Sequence, residues 1–164
     1  MRSEPPDPLE FQTWQRAAEI EGRECVVGAV IIDPQGRAFV QKRSLDRQLF
    51  PGCWDIVGGH VEPGETLYQC LCREADEETG WQIANIIAVL EQFDWAAGGQ
   101  AKREFDLLVE VTGNLDEPRL EWSKHSEFRW ISLDEIEILR ENRTPDDTFI
   151  YDIVKKGLEY WQNR

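Results

Sequence analysis

Histidine occurs twice in these 164 residues, methionine once and cysteine four times. Cys25, Cys53, Cys70 and Cys72 include no CxxC spacing, and His60 and His125 are too few to complete a zinc set. Side chains two apart on a helix diverge, so Cys70 and Cys72 do not form a pair. Reduced thiols in a reducing compartment are the expectation. Basic residues are also scarce. Eighteen Lys and Arg stand against 32 Asp and Glu, a net charge of −14. That balance argues against a nucleic-acid backbone or an anionic membrane as partner. A polyanionic small molecule would need cations gathered locally. No apolar run approaches the roughly 20 residues of a membrane-spanning helix. The opening MRSEPPDPLE lacks the basic and apolar regions of a signal peptide, so a cytoplasmic location is expected. No glycine-rich dinucleotide or P-loop motif, internal repeat or low-complexity tract is present.

What is there suits one domain with a proper core: 41% hydrophobic residues and seven tryptophans. Residues 1–8 are proline-rich and expected to be loose. Residues 9–21 carry a weak helical pattern, or a strand and turn, and are a candidate lid or second-subunit contact. A homodimer is therefore left open. Residues 1–23 read as an N-terminal extension to a domain spanning 24–164. Within that domain, 24–33 and 37–43 read as strands around the turn Asp33-Pro34-Gln35-Gly36. After a loop over 44–54, residues 55–59 return as a short strand. Ile83 to Trp95 and 103–111 are strands around an Ala-Ala-Gly-Gly-Gln hairpin turn. Phe128 to Ile131 is a further strand. Ser132 and Glu135 form a capping box opening a helix to about Glu141, and an amphipathic helix closes the chain near Gln162. This order implies a mixed β-sheet with helices on both faces.

One stretch, Gly59 to Trp81 (GHVEPGETLYQCLCREADEETGW), carries most of the chemistry. Thr66 and Gln69 make a capping box, and Gly80 is the expected helix stop. At 100° per residue, Leu67, Leu71 and Ala75 form an apolar stripe. Glu74 and Glu78 fall inside that stripe and Glu77 on its flank, while Gln69, Arg73 and Asp76 point away. Carboxylates on a face that is buried are costly unless paired or metal-bound. Like charges at i and i+4 add about 0.2–0.5 kcal/mol of repulsion. Arg73 is the helix's only cation, so something positive belongs against this face. All-oxygen ligands favour a hard cation, magnesium or manganese.

The spacing Gly59, five residues, Glu65, seven residues, then Arg73-Glu74-Ala75-Asp76-Glu77-Glu78-Thr79-Gly80-Trp81 resembles the Nudix box of the Nudix hydrolases. Every fixed position of that pattern is filled: Gly59, Glu65, Arg73, Glu74, Glu77, Glu78 and Gly80. More loosely, the likeness extends over residues 24–135. It implies an α/β fold, an α/β/α sandwich around a mixed sheet. It also implies Mg²⁺-dependent hydrolysis of a diphosphate in a nucleoside diphosphate linked to some group X; a nucleoside or deoxynucleoside triphosphate is slightly favoured, with dinucleoside polyphosphates, nucleotide sugars and ADP-ribose left open. The metal ligands it implies are Glu74, Glu77, Glu78 and the Gly59 carbonyl, with Mn²⁺ an alternative ion. The general base would be Glu78 or Glu77, or a carboxylate from a later loop, Glu127 or Glu121. Arg73 would orient a ligand carboxylate, with Glu65 as its partner.

Arg43 resembles the phosphate-contacting arginine of triphosphate-cleaving relatives, and Lys42 and Arg47 are further substrate-binding candidates. Trp54, Trp95, Trp122 and Phe93 are candidates to stack on a base. His60 is expected to be structural or solvent-facing. Two alternatives stand. RSLDRQLFPGCWDI and Gly59-His60 resemble isopentenyl-diphosphate isomerases, but that branch needs a cysteine where this chain has Gly58, and Cys53 lies five residues too early. A non-catalytic nucleotide-sensing domain would need a fused DNA-binding module that 164 residues do not accommodate.

Overall fold

The computed structural model describes residues 5–164. The expectation of a loose terminus falls partly on residues 1–4, which lie outside the described residues. Helix α1 (Pro8–Ile20) starts at an Asp7–Glu10 capping box with Pro8 in the first turn. Strands β1 (Glu24–Ile31), β2 (Ala38–Arg43), β3 (Trp54–Asp55) and β4 (Val57–His60) lead into helix α2 (Leu67–Thr79). A long hairpin, β5 (Gln82–Ala97) and β6 (Gln100–Thr112), follows, then β7 (His125–Ile131), a 3-10 helix (Leu133–Arg140) and helix α3 (Phe149–Asn163).

The mixed sheet has the order β4-β1-β6-β5, with β1 parallel to β6 and the other pairs antiparallel. A second, antiparallel sheet has the order β3-β2-β7. Central strands are covered on both faces, which explains their nearly continuous apolar runs. Val27, Ala29 and Ile31 of β1, with Phe105, Leu107 and Val109 of β6, pack toward α1 and α2. Val30 and Leu108 pack toward α3 through Ile150, Ile153, Val154 and Leu158. Helices thus lie on both sides of the mixed sheet.

Three local expectations change. Residues 9–21 are helical throughout Pro8–Ile20, and Phe11 and Ala18 are buried in the same core as α2. The segment 55–59 is not one strand. Asp55 still pairs with β2, whereas Val57–His60 pairs with β1. Between them, Asp55 accepts the Ile56 N–H at 2.8 Å, and the chain crosses from one sheet to the other. The turn after Ser132 winds as a 3-10 helix. At the hairpin tip, Gly98 and Gly99 both have positive φ, the requirement of a tight two-residue turn.

Candidate functional site

Helix α2 is held at both ends as its sequence dictates. Thr66 Oγ1 accepts from Gln69 N at 3.0 Å, and Gln69 Oε1 accepts from Thr66 N at 2.9 Å. Gly80 takes the left-handed conformation at φ 77°. From α1, the Gln15 amide accepts from Leu67 N at 3.0 Å and donates to Glu65 O at 2.7 Å, which ties the glycine-bounded loop to the helix start.

Glu74 and Glu78 line a cleft of about 720 Å³ between the two sheets, whose walls include Gly58, Gly59, Arg43, Arg47, Asp55 and Glu121. The Glu78 carboxylate is buried, 7% exposed. Its oxygens accept from Gly58 N at 2.9 Å and Gln41 Nε2 at 3.1 Å. Burial pushes its pKa well above the usual carboxylate range, and the charges of Glu74, Asp55 and Glu121 add to the rise. The Gly58 N–H works in the opposite direction. Burial also raises Glu74, against the pull of Arg73, and raises Asp55.

Arg73 is the hub of the loop and helix. Although its Cα lies away from the apolar stripe, its long side chain reaches back. Nε and Nη2 donate to the two Glu65 oxygens at 2.7 and 3.0 Å. Nη1 donates to Glu74 at 2.8 Å and to Glu77 at 3.2 Å. Nη2 also donates to the His60 carbonyl at 3.0 Å. The Arg73 hydrogen bonds hold the Glu65 carboxyl below its usual range. Glu77 is half exposed and is tied to Glu74 through Arg73, but unlike Glu74 and Glu78 it does not line the cleft.

A cationic ledge faces these acids. Arg43 Nε donates to Leu49 O at 2.9 Å, and its Nη1 donates to Asp55 at 3.4 Å. Arg47 and Lys124 stand beside it, with Arg47 Nη1 on the Lys124 carbonyl at 3.4 Å. His125 is buried there with Nδ1 unpartnered. Burial and the three neighbouring cations push its imidazole down to about 4, so it is neutral at pH 7.

Lys42 falls on the opposite face of β2 from Gln41 and Arg43. It pairs with Glu141 at 3.7 Å and covers the Trp54 ring, so it does not line the cleft. Glu127 is exposed, pairs loosely with Arg129 and also lies outside, whereas Glu121 lines the cleft. Trp54 is fully buried and bonded to Glu141; Trp122 is exposed; Phe93 and Trp95 line the cleft. Cys53 is buried with its thiol on the Asn142 carbonyl, away from the cleft lining. The residues that sequence reasoning passed over are Gln41, Asp55, Glu104, Lys124 and His125. For Gln41 and Glu104 a signal existed, namely a polar residue inside a strand otherwise apolar enough to be buried on both faces.

A profile for the NUDIX domain matches residues 22–153. The chain belongs to the Nudix family. A crystal structure of a MutT NUDIX hydrolase from Burkholderia pseudomallei superposes with a TM-score of 0.62 at 26% identity, covering 80% of this chain and 98% of that one. An Ap4A hydrolase from C. elegans gives 0.63 at 23% identity, over 86% of this chain and 99% of that one, which shows the shared fold alone. The isopentenyl-diphosphate Delta-isomerase of Kocuria rhizophila is 30% identical over 105 residues, 61% of this chain and 57% of the isomerase. The nucleoside triphosphatase NudI of Escherichia coli K12 is 41% identical over 61 residues, 37% of this chain and 43% of NudI. The chain spans about half the length of such curated relatives.

Divalent metal use is general among Nudix enzymes. Among the described residues no three His, Cys, Asp or Glu side chains converge into a metal-holding group. The donor chemistry nevertheless fits a hard cation. Burial raises Glu74, Glu78 and Asp55, and the charges of Glu74, Asp55 and Glu121 add to the rise at Glu78. The hydrogen bonds to Glu78 come from the neutral Gln41 amide and the Gly58 N–H, and no cation pairs with it among the described residues. A Cβ at Gly59 would collide with the Glu74 carboxylate, so that backbone and that carboxylate share one small space.

Proposed function

We propose that this Nudix chain hydrolyses the phosphoanhydride bond of a nucleoside diphosphate linked to a group X, with nucleoside triphosphates as the leading substrates. The observation that carries this reading is the buried, charge-crowded Glu78 facing the Arg43–Arg47–Lys124 ledge across one cleft. Glu74, Glu77 and Glu78, with the Gly59 carbonyl, would hold Mg²⁺, or Mn²⁺ in its place. Such an ion neutralises diphosphate charge and makes a bound water more acidic.

The protein's own groups have separate tasks. Arg43 and Arg47 bind and orient the phosphate chain. Arg73 holds Glu74 and Glu77 in place and anchors the loop through Glu65 and the His60 carbonyl. Glu78, which lines the cleft beside these ligands, takes the proton of the attacking water. Glu121, on the later loop, is the second candidate for that proton. The four free cysteines agree with a reducing, cytoplasmic setting.

Phosphate or pyrophosphate release over a nucleotide panel, with and without Mg²⁺, tests the reading. Glu78→Gln is expected to lose at least about 10²-fold in kcat. Equal rates in the two proteins reject it. The isomerase reading has sequence likeness in its favour, but Cys53 is packed away from the cleft and Gly58 leaves no thiol in its place. Turnover of a prenyl diphosphate that Cys53→Ser abolishes would reinstate it.

A further inference from the structure

The chain carries 32 Asp and Glu against 18 Lys and Arg, yet Arg43, Arg47 and Lys124 meet at one end of the cleft. Two of these cations are answered by acids, Arg43 by Asp55 at 3.4 Å and Lys124 by Glu121 at 3.3 Å. Arg47 has no acidic partner among the described residues, and its Nη1 donates to the Lys124 carbonyl. In a protein of net charge −14, an unpaired cation on a cleft wall marks a place for an anionic ligand.

His125 sits among these three cations and is 3% exposed. An irregularity of pairing puts it there. Across the β2–β7 ladder Glu127 faces Lys42, but Arg43 faces His125 and Ser126 is passed over. In a regular ladder His125 would share the outward face of Glu127. A bulge re-aims side chains and is often found next to active sites, and here His125 lines the cleft beside Arg43. Its Nδ1 is enclosed without a partner. Nε2, also without a hydrogen-bond partner among the described residues, is the nitrogen left open to the cleft. Burying an imidazole with nothing to bond is costly, and an apolar residue would fill the same space without that cost. Imidazole carries at least one N–H in either protonation state, so the ring can donate whether neutral or charged.

We propose that His125 Nε2, together with Arg47 and Lys124, binds the terminal phosphate of the substrate, so that group X is itself a phosphate and not a sugar. A terminal phosphate offers outer oxygens enough to accept from all three residues, with charge-assisted bonds from Arg47 and Lys124. A sugar hydroxyl is uncharged and leaves Arg47 unanswered. Arg43 serves the phosphate chain as before. The proposal rests on the nucleotide reading above and names its X.

ATP and ADP-ribose share an adenosine diphosphate and differ in X, so their binding in EDTA, followed by calorimetry, reads this pocket without hydrolysis. ATP is expected to bind roughly 10-fold or more tightly than ADP-ribose, the worth of one charge-assisted hydrogen bond. His125→Leu and Lys124→Gln, checked for fold by circular dichroism, each bring the ratio down to about threefold or less. His125→Gln keeps an N–H donor and retains most of the ratio. The Lys124 side chain is half exposed, so its variant carries the test if His125→Leu does not fold. Inorganic tripolyphosphate, which has no nucleoside, binds the wild type and binds more weakly to the same two variants. Equal binding of ATP and ADP-ribose by the wild type overturns the proposal. So does a failure of both ATP and tripolyphosphate to bind, or an ATP preference that survives in the folded variants. An ATP preference in a protein that hydrolyses no nucleotide supports this pocket and removes the hydrolase reading; hydrolysis with no preference for ATP does the reverse.

Discussion

Replacing Arg73 by Lys keeps the charge but removes the planar fork. The fork makes the paired contacts to Glu65 at 2.7 and 3.0 Å, and it spans Glu74, Glu77 and the His60 carbonyl. An ammonium on a shorter reach can keep one or two of these. A hydrogen bond to a charged group contributes about 1.5–3 kcal/mol when well protected. Arg73 is 23% exposed and Glu65 12% exposed, so solvent screening lowers that figure. Loss of two to three partly screened contacts comes to about 2 kcal/mol. For a chain of this size that corresponds to a fall of about 4–8 °C in Tm. The larger effect concerns the free carboxylates. Without Nη1 to hold them, Glu74 and Glu77 no longer keep a common orientation. Residues that orient metal ligands cost about 10- to 100-fold in metal affinity or activity when changed. Thermal unfolding and a Mg²⁺ titration of nucleotide hydrolysis measure the two effects side by side. A Lys variant within 1 °C and twofold of wild type in both would refute the assignment of Arg73 as the organiser of these acids.

Two other predictions follow from the same geometry. Glu78 has a folded-state pKa raised above its ordinary value of 4.5, so its contribution to stability is present below that value and is lost as pH rises through the raised one. In EDTA, Glu78→Gln should therefore gain Tm over wild type as pH climbs from about 4.5 upward; a Tm difference that is constant with pH contradicts it. At Gly59, a Cβ meets the mobile end of the Glu74 side chain, whereas at Gly58 it meets the Val27 backbone carbonyl. Gly59→Ala should fold but need a higher Mg²⁺ concentration for activity, while Gly58→Ala should lose several degrees of Tm because β1 and β4 cannot part. Calorimetry that ranks the two in the opposite order would count against this packing.

The capped helix, its buried acidic stripe and the hairpin at Gly98-Gly99 were legible because each depends on neighbours in sequence. Thr66 and Gln69 are three residues apart, and the period of an α-helix alone puts Glu74 and Glu78 beside Leu67 and Leu71. The burial of β1 and β6 on both faces was likewise written in their unbroken apolar runs. Arg43 and Arg47 were recognisable as candidates, but their meeting with Lys124 and His125 was not, because those pairs come from segments some 80 residues apart joined only by β2–β7 pairing. The same pairing decides which carboxylate of the later segment enters the cleft. Glu121 precedes β7 and turns inward, whereas Glu127 lies within it and faces out.

What the sequence determined by itself was the local code: where the acidic helix starts and stops, and which of its faces carries charge. What only the tertiary structure decided was the company those charges keep. The crossing of the chain between two sheets at Ile56, and the parallel register that sets Glu104 and Asp106 against Val26 and Gly28, bring distant residues into one cleft. Helix periodicity acts over a few residues and can be read along the chain. Strand register and burial are set by packing across it, and the shifted pKa values of Glu78, Asp106 and His125 come from that packing.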